Sequence, residues 1–262
     1  MKKPADTILI TGASSGIGAA VAVECARCGA HTLFLCGRDR ARLDAVAADC
    51  RAAGAACVVA DVVDVTDAAA TSAWLAACDA RSPLELVFAN AGRGTGRESA
   101  DNVRRTFALN VGGVVNTVLP AIDLFRARRA PGQIVITASI AGYAPLAGCP
   151  SYAATKAGMK SWGLSLRGFL KREGIKVNVL CPGFVRSRLT DRNTCPMPFF
   201  MEAPKAAKII VSRVRRNVGL IAFPWPMRLA TWFLSVLPWR LSEFIGSLLP
   251  AKNGDNATGI TL

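Results

Sequence analysis

Histidine and tyrosine are almost missing from this chain. Its 262 residues include one histidine, His31, and two tyrosines, Tyr143 and Tyr152. The single Cys-x-x-Cys pair, Cys25-Ala26-Arg27-Cys28, falls inside an expected helix and has no second pair. With only His31 nearby, the ligand set of a zinc site is not there. The nine cysteines (25, 28, 36, 50, 57, 78, 149, 181 and 195) are odd in number and irregular in spacing. Buried thiols in a reducing cytosol fit that pattern better than a disulfide framework. Acidic residues are scarce, 18 against 32 basic ones, which leaves a formal net charge of +14. Such a charge suits nucleic acid, an anionic membrane or an anionic small molecule. The bases lie in short groups, Arg104-Arg105, Arg126 with Arg128-Arg129, Lys171-Arg172 and Arg213 with Arg215-Arg216. No nucleic-acid motif accompanies them, so most read as solvated helix ends and no nucleic-acid partner is expected. Met1-Lys2-Lys3-Pro4-Ala5-Asp6 leads straight into a strand with no apolar signal region, and a cytoplasmic location is expected. Internal repeats and low-complexity segments are also lacking.

Apolar residues are plentiful, at 52%, and short apolar runs alternate with helical stretches. Strands are predicted at 7–10, 32–36, 56–63, 84–89, 133–138 and 176–181. Helices are predicted at 16–28, 41–53, 68–80, 103–126 and 152–173. The strands are apolar almost throughout rather than alternating, as in a sheet covered on both faces. Strand–helix alternation at this spacing predicts an α/β fold, a Rossmann-type doubly wound parallel sheet in a single domain over 1–262. Such sheets bind ligands beyond the carboxyl ends of their strands, and the motifs fall at those ends. The expected layout is a dinucleotide-binding and catalytic core over 5–182 and a substrate loop over 183–216, read as a long loop with helical pieces. An apolar extension occupies 219–250.

Thr11-Gly12-Ala13-Ser14-Ser15-Gly16-Ile17-Gly18 follows the first strand directly. Glycines there allow a tight turn and a close approach of pyrophosphate to a helix N-terminus, where backbone N–H groups and the helix dipole bind it. Tyr152 stands four residues before Lys156, so both side chains lie on one helix face, one turn apart. A fixed ammonium beside a phenol favours the phenolate, and a phenol so tuned can exchange a proton near neutral pH. Further motifs come in order along the chain: Asn90-Ala91-Gly92, Asn110 in Leu109-Asn110-Val111-Gly112, Ser139 thirteen residues before Tyr152, and Pro182-Gly183. The TGxxxGIG turn, the NAG triplet and the YxxxK pair, taken together over about residues 5–190, resemble the short-chain dehydrogenase/reductase family in its main branch of about 250 residues. One departure is Ala89, where the family has the first Asn of NNAG.

The resemblance implies roles. Tyr152 would be the proton donor and acceptor at the substrate oxygen. Ser139 would hydrogen-bond that oxygen and polarise the carbonyl. Lys156 would depress the tyrosine pKa and bind the nicotinamide ribose, and Asn110 would hold a water linking Lys156 to solvent. Gly12, Ser14, Ser15, Gly16, Ile17, Gly18, Asn90, Ala91, Gly92, Pro182, Gly183 and Val185 would line the cofactor. In Asp64-Val65-Thr66-Asp67, which resembles the family's DVTD, Asp64 and Val65 would contact the adenine, with Asp61 as a rival. At the end of the second strand Arg38 replaces the Asp that binds an NAD ribose. Its guanidinium can clamp a 2′-phosphate, so NADP is expected. Asp39 either pairs with Arg38 or weakens phosphate binding.

The expected reaction is hydride transfer between NADP(H) and a carbonyl or secondary alcohol. The resemblance also implies a homodimer or homotetramer built through the helices near 103–126 and 152–173. The seventh strand and glycine pair that end many family members are not evident. Residues 219–250 instead carry Trp225, Trp232 and Trp239, broken by Pro224, Pro226 and Pro238 and too interrupted for a spanning helix. They pack on the core or a second subunit, lie on a membrane face as a peripheral contact, or wall an apolar substrate pocket. Phe223-Pro224-Trp225-Pro226 and the residues after it resemble reductases of bacterial surface-polysaccharide synthesis, which would imply a sugar substrate. Two alternatives stand beside these: a dinucleotide-binding sensor or scaffold without turnover, and a membrane-associated lipid or sterol reductase.

Overall fold

The computed structural model describes residues 5–191 and 196–248. Cys195, the opening Met1–Pro4 and residues 249–250 of the apolar extension lie outside the described residues.

Seven parallel strands form one sheet in the order β3-β2-β1-β4-β5-β6-β7. They are β1 (Thr7–Thr11), β2 (Thr32–Gly37), β3 (Cys57–Val62), β4 (Leu86–Ala89), β5 (Gln133–Thr137), β6 (Lys176–Pro182) and β7 (Leu220–Phe223). The chain builds outward from β1 to β3, then crosses back to lay β4 against the other side of β1. The helices are α1 (Gly16–Arg27), α2 (Arg40–Ala52), α3 (Ala68–Arg81), α4 (Ala100–Phe107), α5 (Val114–Arg128), α6 (Pro150–Phe169), α7 (Ala203–Arg215), α8 (Trp225–Val236) and α9 (Trp239–Leu248).

Successive side chains of a strand point to opposite faces. In β1, Ile8 and Ile10 therefore join the buried cluster that holds α1, α2 and α7, while Leu9 joins the one that holds α3, α5 and α6. Both faces are dry except along the partly buried edge strand β3, which is why the strands read as nearly unbroken apolar runs. The helical run Ala100–Arg128 is long and apolar enough to cross a bilayer. Its Val114, Val118, Ala121, Ile122 and Phe125 are buried in the second cluster, as befits a core helix.

Three elements differ from what the sequence predicts. The helix expected over 103–126 is broken by a π turn over Ala108–Gly113 that contains Asn110. The stretch read as a long loop with helical pieces is built round one full helix, the thirteen-residue α7, whose Ala206, Ala207, Ile210, Val211 and Val214 pack in the α1 layer. A seventh strand is present after all. Leu220–Phe223 pairs with Val179–Pro182 and completes the sheet.

Candidate active site

An open cleft of about 790 Å³ runs along the carboxyl edge of the sheet. At one end lie Gly12, Ser14, Ser15, Gly16 and Ile17, and at the other Ser139, Tyr152 and Lys156. Arg38, Asp64, Val65, Asn90, Ala91, Gly92, Pro182, Gly183 and Val185 line it between and around them. Of the two tyrosines, only Tyr152 is among the lining residues.

The glycine-rich turn is held by close backbone approaches. Gly12 has φ +66°, and a Cβ there would lie 2.8 Å from the Cα of Ala91. Gly16, with φ +58°, would meet Ser187 at the same distance. Only glycine takes both the left-handed backbone and the contact without strain. Gly18 does not line the cleft. A Cβ on it would sit 2.3 Å from the Gly12 carbonyl oxygen, so it serves close packing of α1 behind the turn rather than a ligand. Asn90 ties the strand ends together. Its amide donates to the Thr11 and Gly12 carbonyls at 3.2 and 3.4 Å, and its backbone N–H donates to Thr11 Oγ1 at 3.0 Å.

The N-terminus of α1 is uncapped. Ser15 makes no capping bond, and no acidic residue stands in the first turn. Helices α2, α3 and α4, by contrast, are capped by Asp39, Asp67 and Ser99. The first N–H groups of α1 thus keep their donors for an anion in the cleft.

Around the end of β2 the geometry is electropositive. Arg38 is exposed beside the cleft. Asp39 is not its partner. Its carboxylate accepts from the Arg42 N–H at 3.1 Å and pairs with the Arg42 guanidinium at 2.8 Å. Arg42 also lines the cleft, and its buried Nε has no hydrogen-bond partner. Nothing in the sequence singles out this second guanidinium, because one turn into α2 it looks like any solvated helix charge. Asp64, not Asp61, reaches the cleft. The Asp61 carboxylate accepts from Trp74 Nε1 at 2.8 Å and lies away from it. The Thr66 backbone N–H holds the Asp64 carboxyl below its ordinary range, helped by the Thr66 hydroxyl and the charge of Arg38 against the opposing effect of burial.

Helix α6 turns Ser151, Tyr152, Thr155, Lys156, Met159 and Gly163 inward. Lys156 Nζ donates to the Thr137 carbonyl at 2.9 Å and lies 5.8 Å from the centre of the Tyr152 ring. That is within the range of ammonium–ring attraction. Ser139 follows β5. Its hydroxyl accepts from the Ala141 N–H at 3.1 Å and donates to the Pro182 carbonyl at 3.4 Å. Asn110 is fully buried behind the cleft wall. Its carbonyl accepts from Arg93 N–H at 2.8 Å, and its amide donates to Arg93 O at 2.9 Å and Thr155 Oγ1 at 3.2 Å. It lies next to Lys156, since a Cβ on Gly92 would be 3.2 Å from Asn110 Oδ1 and 3.4 Å from Lys156 Nζ. Thr95, not singled out from sequence, also lines the cleft, and its buried hydroxyl has no hydrogen-bond partner.

A phenol, a hydroxyl and an ammonium thus meet beside a glycine-rich anion cradle in one parallel-sheet cleft. A family model described as short chain dehydrogenase matches residues 6–196. The chain belongs to the short-chain dehydrogenase family. It is 38% identical over 238 residues to an uncharacterized oxidoreductase of Myxococcus xanthus (strain DK1622), covering 88% of this chain and 92% of that one. It is 32% identical over 245 residues to an uncharacterized oxidoreductase of Mycobacterium tuberculosis (strain ATCC 25618 / H37Rv), covering 90% and 95%. Among solved structures, a short chain dehydrogenase/reductase from Burkholderia phymatum in complex with NAD superposes with a TM-score of 0.81 at 27% identity, covering 89% of this chain and 94% of that one. A short-chain dehydrogenase from Sphingobium yanoikuyae in complex with NADPH does so with 0.77 at 27% identity, covering 97% and 98%. Family membership makes the protein a short-chain oxidoreductase. One solved relative holds NAD and the other NADPH, so kinship does not decide the phosphate.

Proposed function

We propose that this protein is an NADP(H)-dependent oxidoreductase that interconverts a carbonyl and a secondary alcohol, with Tyr152 as the acid and base. The observation that carries this reading is the single cleft that joins Ser139, Tyr152 and Lys156 to the glycine cradle of Gly12 to Ile17. The residues fit a dinucleotide. A Cβ at Gly12 would fill the cradle, the uncapped α1 offers N–H donors, and the buried Arg42 Nε lacks an acceptor. Bound NADPH supplies the hydride that reduces the carbonyl carbon.

The chain's own groups manage everything else. In reduction Tyr152 donates its phenolic proton to the substrate oxygen while Ser139 hydrogen-bonds the same oxygen and polarises the C=O bond. The ammonium of Lys156 stabilises the phenolate left behind. Asn110 fixes the π turn beside Lys156, and a water bound by that turn would return the proton from solvent. Thr95 offers a hydrogen bond to a substrate polar group. Arg38 and Arg42 would clamp a 2′-phosphate, now that Asp39 is engaged as a helix cap. Asp64 and Val65 would border the adenine. Phe107, Leu119, Leu164 and Phe169 leave apolar surface exposed on α4, α5 and α6, which favours self-association through those helices.

The test is NADPH consumption with a panel of sugars, ketoacyl thioesters and steroids. Tyr152→Phe should lower kcat by about 10²–10⁴-fold and keep NADPH binding. A wild type as inert as Tyr152→Phe, with both binding NADPH tightly, would favour a sensor or scaffold. Equal affinity of the wild type for NADPH and NADH would refute the assignment of Arg38, and Arg38→Asp should abolish a preference for NADPH.

A further inference from the structure

The most conspicuous surface left unexplained is helix α8. None of its twelve residues is buried, yet eight are apolar side chains larger than alanine or prolyl rings. Trp225, Leu229, Trp232, Phe233 and Val236 stand at i, i+4, i+7, i+8 and i+11, which confines them to about a 100° arc of the helix. All five face outward, Trp225 at 74% exposure and the others at 50–57%. The opposite side of α8 already faces the body. A Cβ on Gly183, a cleft residue, would come within 3.0 Å of Met227 Sδ. Among the described residues the outward stripe is left half-exposed or more.

With side-chain areas on the order of 200 Å² each, the stripe exposes roughly 600 Å². That is at the upper end of the about 300–600 Å² of the largest apolar patch on a typical soluble monomer, a size that is often functional. It falls short of the roughly 800 Å² per partner that a stable protein interface buries. Charge separates the candidate occupants further. The formal net charge of +14 favours an anionic surface as the occupant. Within 219–248 the charged residues are Arg228, Arg240 and Glu243, a basic balance flanking the stripe. Arg240 lies 5.4 Å from the centre of the Trp239 ring, and Trp239 is itself 68% exposed. Trp225, Trp232 and Trp239 recur every seven residues. Aromatic side chains flanked by arginine on a helix that is apolar on one exposed face match the boundary between lipid headgroups and acyl chains, and a basic protein is drawn to anionic lipid.

We propose that α8 docks on the surface of an anionic bilayer, with the Trp225–Val236 stripe set into the headgroup–acyl boundary. The position of α8 gives the contact a purpose. The sheet is parallel, so the loops after β6 and β7 leave from the same edge as the cleft. The loop after β6 exposes Phe199 there, and Arg186 lies 5.3 Å from the centre of the neighbouring Phe200 ring. Docking through α8 places that edge, and with it the mouth of the cleft, against the membrane.

The experiment is co-sedimentation of the full chain with vesicles of phosphatidylcholine alone and with added phosphatidylglycerol, at low and high salt. The wild type should pellet with the anionic vesicles and be partly released by salt. The double variant Trp232→Ser/Phe233→Ser, which alters outward side chains only, should bind at least about tenfold more weakly. Brominated acyl chains should quench wild-type tryptophan fluorescence. Three results would overturn the proposal. The wild type stays in the supernatant with both vesicles, the double variant pellets like the wild type, or light scattering shows that the double variant loses a dimer contact while neither protein pellets. The last result would assign the stripe to a second copy. None of these results bears on whether Tyr152 carries out proton transfer.

Discussion

Gly142 is the point at which packing and chemistry are most directly coupled. It lies in the short turn after Ser139. A Cβ there would sit 2.6 Å from the Lys156 carbonyl carbon and 2.7 Å from Lys156 O and Ala157 N. All three atoms belong to the backbone of α6, so no rotamer change relieves the contact. Non-bonded carbons rest at about 3.5–4.0 Å, so Gly142→Ala must part the turn from the helix by roughly 1 Å. The turn carries Ser139, and the helix carries Tyr152 and Lys156. The substitution therefore opens the distance between the groups proposed to share the substrate oxygen. Overpacking of this kind costs about 1–3 kcal/mol, which lowers Tm by roughly 2–4 °C per kcal/mol in a chain of this size. A displacement of about 1 Å in a reacting geometry costs on the order of 10²-fold in rate. The assay pairs thermal melting with kcat on any carbonyl the wild type reduces. The ratio of NADPH to NADH affinity, set at the far end of the cleft, should stay put. A Gly142→Ala protein with wild-type Tm and kcat would refute the argument that this contact sets the site.

Gly158, in the same helix, has nothing within 4 Å of a built Cβ, so Gly158→Ala should raise stability by about 0.5–1 kcal/mol, read as a higher Tm. Arg42→Met removes a cleft guanidinium whose Nε has no acceptor and breaks its ion pair with Asp39, and should weaken NADPH binding about tenfold while NADH binding changes little. Burial pushes the Cys36, Cys50, Cys78 and Cys181 thiols up to about 12. Among the described cysteines, an alkylating reagent at pH 8 should therefore modify the half-exposed Cys28 and Cys57 first, as mass spectrometry of the native protein would map. Early labelling of Cys36 or Cys181 would contradict the packing around them.

The sheet was legible because its strands are dry on both faces, and that leaves an apolar signature no surface helix mimics. The fold class and six of the seven strands follow from those runs together with the strand–helix alternation and its spacing. Leu220–Phe223 escaped because it is only four residues long and runs directly into prolines and tryptophans that suggest something else. The π turn at Asn110 escaped because the apolar pattern continues through it. It coincides with the buried Asn110 side chain, which bonds to Arg93 from another segment, and with Gly113, where a Cβ would lie 2.7 Å from Val65. Tyr152 and Lys156 are readable as candidates only because Ser139 and the ordered motifs from Thr11 to Gly183 accompany their four-residue spacing. Arg42 and Thr95 were not, since a helix charge and a loop threonine acquire meaning only from the cleft they face.

The order of the strands has a consequence for how this protein can change. Arg38, Arg42 and Asp64 all come after β2 or β3, on one flank of β1. Ser139, Tyr152 and Lys156 come after β5, on the other flank, past β4. The crossing from β3 to β4 thus separates the groups proposed to choose the cofactor from those proposed to act on the substrate along a seam in the sheet. A graft of the segment from β2 through the Asp64 loop could exchange the coenzyme of this protein without touching what it reduces.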